Sequence, residues 1–77
     1  MRLNVLKPVF ADSASELVQA ANQFEDTILI KKGHWSIDAK SLLGVLALSL
    51  QPGDTIELAT DNEEIVSAFL ELNFFSK

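Results

Sequence analysis

Residues 41–60, SLLGVLALSLQPGDTIELAT, hold a helix signal, a turn signal and a strand signal in direct succession. Ser41 stands where a helix N-cap is expected, and the run from Leu42 to about Leu50 is apolar at nearly every position, which predicts a short helix. The sequence Gln51-Pro52-Gly53-Asp54 is typical of a turn. The alternation from Thr55 to Thr60 then predicts a half-buried strand.

The residues before this segment predict a strand and a helix. Arg2 to Leu6 alternates loosely between polar and apolar residues, as a first strand does. Asp12 or Ser13 opens the helix, and Ser13 with Glu16 three residues later fits a capping box. The helix is predicted to run to about Phe24, because apolar residues recur at helical spacing along one face. These residues are Ala14, Leu17, Val18 and Ala21.

A hairpin and a last helix complete the pattern. Thr27 to Lys31 and His34 to Asp38 predict two strands joined about Gly33, with Lys31 and Lys32 as solvated charges. Asp61 or Asn62 is expected to cap a helix whose first turn carries Glu63 and Glu64, close to the positive end of the helix dipole. Its inner face would hold Ile65, Phe69 and Leu72, with Phe74 and Phe75 partly exposed near the terminus.

The predicted order is β-α-β-β-α-β-α, which indicates an α+β domain with helices packed on one side of a short sheet. With 77 residues the chain is long enough for one domain, residues 1–77, and too short for two. The chain has no cysteine and no run of metal-ligand residues, so we expect neither disulfides nor a metal or cofactor site.

Charge and hydropathy narrow the function classes. A net charge of −5 without a basic stripe argues against nucleic acid as a partner, because phosphate neutralisation dominates such binding. Residues 1–10 lack the apolar core of a signal peptide, and the apolar run from Leu42 to Leu50 is too short to span a bilayer. We therefore expect a soluble cytoplasmic protein that does not bind membranes.

The segment from Asp38 to Ile56 resembles the second half of HPr, the small phosphocarrier of the bacterial sugar phosphotransferase system. The resemblance rests on Lys40-Ser41, the two leucines that follow, Gly44, and the Gly53 turn into the last strand. Leu17 to Ala21 is similar to the first helix of the family. The resemblance implies an open-faced β-sandwich, with a four-stranded antiparallel sheet covered on one face by three helices.

The family's signature before the first helix is replaced in this chain. The resemblance places Phe10 at the position of the phosphate-accepting histidine and Asp12 at that of the arginine, with Ala11 between them. A phenyl ring has no nucleophilic nitrogen, and a carboxylate repels a phosphoryl group that a guanidinium would steady. The chain is thus expected to be neither an enzyme nor a phosphocarrier by this route, with no catalytic residues.

Two other features of the family fall on the second helix. The resemblance makes Ser41 a candidate for regulatory phosphorylation by a serine kinase, although an N-cap role alone also explains a serine there. It also makes Leu42, Leu43 and Leu46 a candidate docking surface for a protein partner, because a helix that is apolar all round is either buried or an interface. The alternative is that neighbouring loops cover these leucines.

Three functions follow from these observations. We favour a non-catalytic regulatory or adaptor protein of the phosphotransferase system, with phosphorylation of Ser41 as a candidate switch of catabolite regulation. An alternative is a phosphocarrier with a non-standard acceptor, for which His34 is the only imidazole. A histidine in an exposed turn more often has no such role. The third is a structural or ligand-binding domain that has kept only the scaffold.

Overall fold

The computed structural model describes all residues from 1 to 77. Each predicted helix and strand is present, and one strand is added at the C-terminus. The elements are β1 (Arg2–Val5), α1 (Asp12–Ala21), β2 (Leu29–Lys32), β3 (Trp35–Asp38), α2 (Leu42–Leu48), β4 (Thr55–Ala59), α3 (Glu63–Glu71) and β5 (Phe75–Ser76).

The strands form one antiparallel sheet in the order β3-β2-β4-β1-β5. Alternate residues of each strand point to opposite faces, and the strands bury one face only. The inward residues of the three central strands are Leu3, Val5, Ile30, Ile56 and Leu58. The opposite face is open to solvent and carries Arg2, Asn4, Lys31, Thr55 and Glu57. The three helices therefore cover a single side of the sheet.

The sheet has five strands, so the expectation of four is wrong. Asn73 takes a positive φ of 67° after α3, which turns the chain so that Phe75 lies opposite Val5 and Ser76 opposite Asn4. Phe74 and Phe75 are only 7% and 3% exposed, which also corrects the prediction that they are partly exposed. A strand of two residues is too short to show the alternation by which sequence patterns reveal strands.

The core between the sheet and the helices is entirely apolar. It contains 19 buried residues, Phe69 being the largest of those that are fully buried, and no buried polar or charged side chain. The last helix is capped by Asn62, whose side-chain oxygen accepts a hydrogen bond from the Glu64 N–H at 2.9 Å. This resolves the choice between Asp61 and Asn62 in favour of Asn62.

Candidate functional site

The candidate site begins where the chain leaves the core before α1. Val9 is buried, and its N–H donates to the carbonyl of Leu50 at 3.0 Å, so this segment is fixed beside the end of α2. The next side chain, Phe10, is 66% exposed. A large aromatic ring is thus held in solvent directly before the first helix, close to the loop that follows α2.

Ser13 organises the backbone of this turn. Its hydroxyl accepts a hydrogen bond from the Phe10 N–H at 2.9 Å. The same hydroxyl lies 2.9 Å from the Phe10 carbonyl oxygen and 3.2 Å from that of Pro8, and it donates its hydrogen to these two acceptors. The predicted capping box of Ser13 with Glu16 is therefore wrong. The serine side chain faces back into the turn, and no side chain caps α1.

Ala11 occupies a backbone conformation that favours glycine. Its φ of 52° and ψ of −115° match the first central position of a type II′ turn. The Ser13 N–H closes the turn on the Phe10 carbonyl at 3.2 Å. A residue with a Cβ is strained here by about 1–3 kcal/mol, so the rest of the site must hold this turn in place.

The side chains of Phe10–Ser13 include no imidazole and no cation. Phe10 is a hydrocarbon ring, and Asp12 is an exposed acidic residue in the first turn of α1 that forms no ion pair. His34 lies in the turn between β2 and β3 and is exposed. The depression that His34 lines is formed with Trp35, Ala47 and Asp54 among others, and it includes no residue of the Phe10–Ser13 turn.

Ser41 is the N-cap of α2. Its side-chain oxygen accepts a hydrogen bond from the Gly44 N–H at 3.2 Å, and the residue is exposed. Upstream, a carboxylate oxygen of Asp38 accepts a hydrogen bond from the Lys40 N–H at 2.8 Å, which fixes the backbone directly before α2. A Cβ on Gly44 would lie 3.2 Å from the Cβ of Ile37, so glycine lets α2 pack closely on β3.

The leucines of α2 differ in exposure. Leu43 is 81% exposed and Leu42 42% exposed, whereas Leu46 is half-buried against the core. Val45 and Leu48 are buried and anchor the helix. The helix is also shorter than predicted, because Ser49 turns into the left-handed conformation and ends it at Leu48. Two of the three predicted docking residues are therefore free to contact a partner, and the third is partly free.

A family model described as "PTS HPr component phosphorylation site" matches residues 9–76 of this chain. The chain belongs to the HPr family. Among curated HPr relatives, the HPr-like protein Crh of Halalkalibacterium halodurans is 36% identical over 63 residues, covering 78% of this chain and 75% of the relative. The phosphocarrier protein HPr of Treponema pallidum is 33% identical over 60 residues, covering 78% and 68%.

Solved HPr structures share the fold. An HPr from Bacillus anthracis superimposes with a TM-score of 0.83 at 30% identity, covering 94% of this chain and 92% of its own. An HPr from Thermoanaerobacter tengcongensis gives a TM-score of 0.82 at 26% identity, covering 94% and 86%. The expected α+β HPr fold, with three helices on an antiparallel sheet, is confirmed.

Membership of the HPr family also answers whether this chain is an enzyme. HPr phosphocarriers are not enzymes, so the prediction that this chain is not an enzyme is confirmed. Proteins of this family interact with components of the phosphotransferase system. None of the three helices has the length and apolar character needed to cross a membrane.

Two side chains have surroundings that the sequence did not reveal. Lys32, predicted to be a solvated charge, donates from Nζ to the Leu48 carbonyl at 3.1 Å and pairs with Asp54 at 3.0 Å. Trp35 shares a strand face with Ile37, yet it is 71% exposed because it lies at the hairpin end. The contact of Lys32 with the Leu48 carbonyl depends on where α2 ends, which the apolar run up to Leu50 obscures.

Proposed function

We propose that this HPr-family chain is a non-catalytic regulatory or adaptor protein of the phosphotransferase system. The observation that carries the proposal is the exposed phenyl ring of Phe10 at the turn before α1, where the family resemblance places the phosphate-accepting histidine. Phosphohistidine cannot form on a phenyl ring. The 36% identity to a relative named HPr-like protein Crh supports a role other than that of a phosphocarrier.

The electrostatics of the turn favour the same proposal. A transferred phosphoryl group requires positive charge beside it, because its oxygens carry negative charge. Asp12 supplies negative charge instead, and no Lys or Arg lies between Pro8 and Ile30. The turn is therefore suited to apolar contact with a protein and unsuited to phosphate transfer.

The docking surface of the proposal is the exposed side of α2. Leu42 and Leu43 present apolar surface there, and α2 carries no charged side chain. Adjacent exposed apolar side chains on one element are suited to contact with a protein partner. Of the three leucines, Leu43 has the largest exposed fraction, so a partner on α2 would gain more by covering it than by covering Leu42 or Leu46.

Ser41 is the proposed switch. It is exposed, it directly precedes the docking leucines, and Lys40 is its neighbour. A phosphate on its side chain would add a charge of about −1.5 to −2 at the rim of an otherwise uncharged surface. Partners that accept apolar contact alone would then be disfavoured, and partners with a basic group beside their apolar contact would be favoured.

The test is incubation with ATP and the kinase that phosphorylates a serine of HPr proteins. We expect mass spectrometry to find one phosphate on Ser41 and none on a Ser41→Ala variant. Leu43→Lys should slow the reaction by about tenfold if the kinase docks on α2. Leu6→Lys is the matched control, since Leu6 is 50% exposed and lies outside α2. An unmodified Ser41, or equal effects of the two lysines, would refute the proposal.

A further inference from the structure

The basic residues of this molecule all lie outside the three helices. No Lys or Arg lies on α1, α2 or α3. The basic residues lie on strands, loops and the C-terminus, and they are Arg2, Lys7, Lys31, Lys32, Lys40 and Lys77. The only ion pair joins Lys32 to Asp54. The carboxylates on the three helices are thus left without a cationic partner inside the molecule.

A groove runs between the end of α1 and the outer side of α3. It consists of two adjoining depressions of about 480 Å³ and 340 Å³, and both are lined by Phe24, Ala68 and Glu71. Its floor is apolar, because Phe24 and Ala68 are half-buried there and Ala20 and Leu72 extend it. Phe24 thus presents part of an aromatic ring to solvent at the centre of the groove.

The rim of this groove is acidic. Glu63, Glu64 and Glu71 line it and are all exposed. Glu64 and Glu71 are seven positions apart on one helix, which places them on the same side about 10 Å from each other. Glu25 and Asp26 directly follow Phe24 in the chain and add to the negative charge near the groove.

We propose that this α1–α3 groove docks a cationic amphipathic helix of a partner protein. Such a helix would seat one apolar side chain on Phe24 and pair basic residues about seven positions apart with Glu64 and Glu71. A metal ion does not fit, because no group of three His, Cys, Asp or Glu residues comes together to hold one. Nucleic acids and anionic membranes are repelled by the same carboxylates.

The groove is separate from the α2 surface of the proposed function. Neither depression includes a residue of α2 or of the turn before α1. The two surfaces also differ in chemistry, since α2 is uncharged and the groove combines an apolar floor with carboxylates. The full protein could therefore contact one partner through α2 and a second through the groove, and failure of one proposal leaves the other standing.

The test uses a synthetic helical peptide of leucine and lysine, about four turns long, with lysines on one face. In an NMR titration at low ionic strength, we expect shifts at Phe24, Ala68 and Leu72 and none at Leu43. The variant Glu64→Gln/Glu71→Gln should weaken binding about tenfold, as two surface ion pairs allow. The control Glu16→Gln/Glu57→Gln changes net charge equally outside the groove and should leave the affinity within about twofold.

Three results would overturn the proposal. The first is equal weakening by both double variants, which would show attraction to overall charge only. The second is absence of shifts at Phe24. The third is dimerisation of the protein alone in sedimentation experiments that Phe24→Leu abolishes, which would assign the groove to a second copy. Phe24→Leu keeps a smaller apolar side chain without the ring and should reduce affinity without loss of the folded spectrum.

Discussion

The hydroxyl of Ser13 holds the backbone of Phe10, accepting its N–H at 2.9 Å and lying 2.9 Å from its carbonyl oxygen. This contact fixes the turn that presents the phenyl ring. Ser13→Ala should lower the free energy of unfolding by about 1 kcal/mol, because the Phe10 N–H loses its partner. Urea denaturation measures the change. Ser15→Ala is the control, since Ser15 makes no side-chain hydrogen bond, and an equal loss in both variants would contradict the assigned role.

The strained backbone of Ala11 leads to a stabilising substitution. At a φ of 52°, glycine avoids the clash that a Cβ causes, so Ala11→Gly should raise the free energy of unfolding by about 1 kcal/mol. Ala20→Gly, inside α1, should lower it by about 1 kcal/mol. Thermal unfolding of the two variants checks the opposite signs. A loss of stability in both would show that Ala11 is not strained.

Asp54 makes stability depend on pH. The Gln51 N–H and then the Lys32 ammonium hold the pKa of this carboxyl below its ordinary value of 3.8. A lowered pKa in the folded state stabilises the protein above about pH 4, and this contribution is lost as the pH falls through the folded-state pKa. Asp54→Asn should therefore be less stable than the wild type at pH 7 and approach it in acid.

Unfolding midpoints measured from pH 7 down to about pH 2 would follow this convergence. Asp61→Asn is the control, because Asp61 is exposed and forms no ion pair. A constant difference between the Asp54→Asn variant and the wild type at all pH values would contradict the assigned role of the charge.

Ser41 can be tested as an N-cap independently of its proposed modification. Ser41→Ala removes the acceptor of the Gly44 N–H and should cost about 1 kcal/mol of stability. Ser41→Asp keeps an acceptor of similar reach and should stay close to the wild type. Chemical denaturation of the three proteins provides the comparison. If Ser41→Ala were neutral, the hydrogen bond at 3.2 Å would contribute nothing measurable.

The sequence predicted the seven longer elements because each has its own periodicity or turn signal. It missed β5, since two residues show no alternation and the strand exists only through its pairing with Val5 and Asn4. It also misplaced the Ser13 hydroxyl, because a capping pattern does not reveal that Ala11 takes a positive φ and redirects the side chain. Pairing with a distant strand decides the first case, and the backbone conformation of Ala11 within a local turn decides the second.

The candidate site was only partly predictable for a similar reason. The sequence made Ser41, Leu42, Leu43 and Leu46 candidates from the composition of one short segment. The structure exposes Ser41, Leu42 and Leu43 and leaves Leu46 half-buried. The role of Lys32 was missed, because its partners are the Leu48 carbonyl and Asp54. Those residues are 16 and 22 positions later in the chain, and only the fold brings them to the hairpin.

The loss of phosphocarrier activity can be measured by incubation with phosphoenolpyruvate and Enzyme I, with the HPr of Treponema pallidum as the positive control. We expect that HPr gains acid-labile phosphate and that this chain gains none, because Phe10 offers no nucleophilic nitrogen. Acid-labile phosphate on the wild-type chain that disappears in His34→Gln would show the opposite, a phosphocarrier with its acceptor at the hairpin.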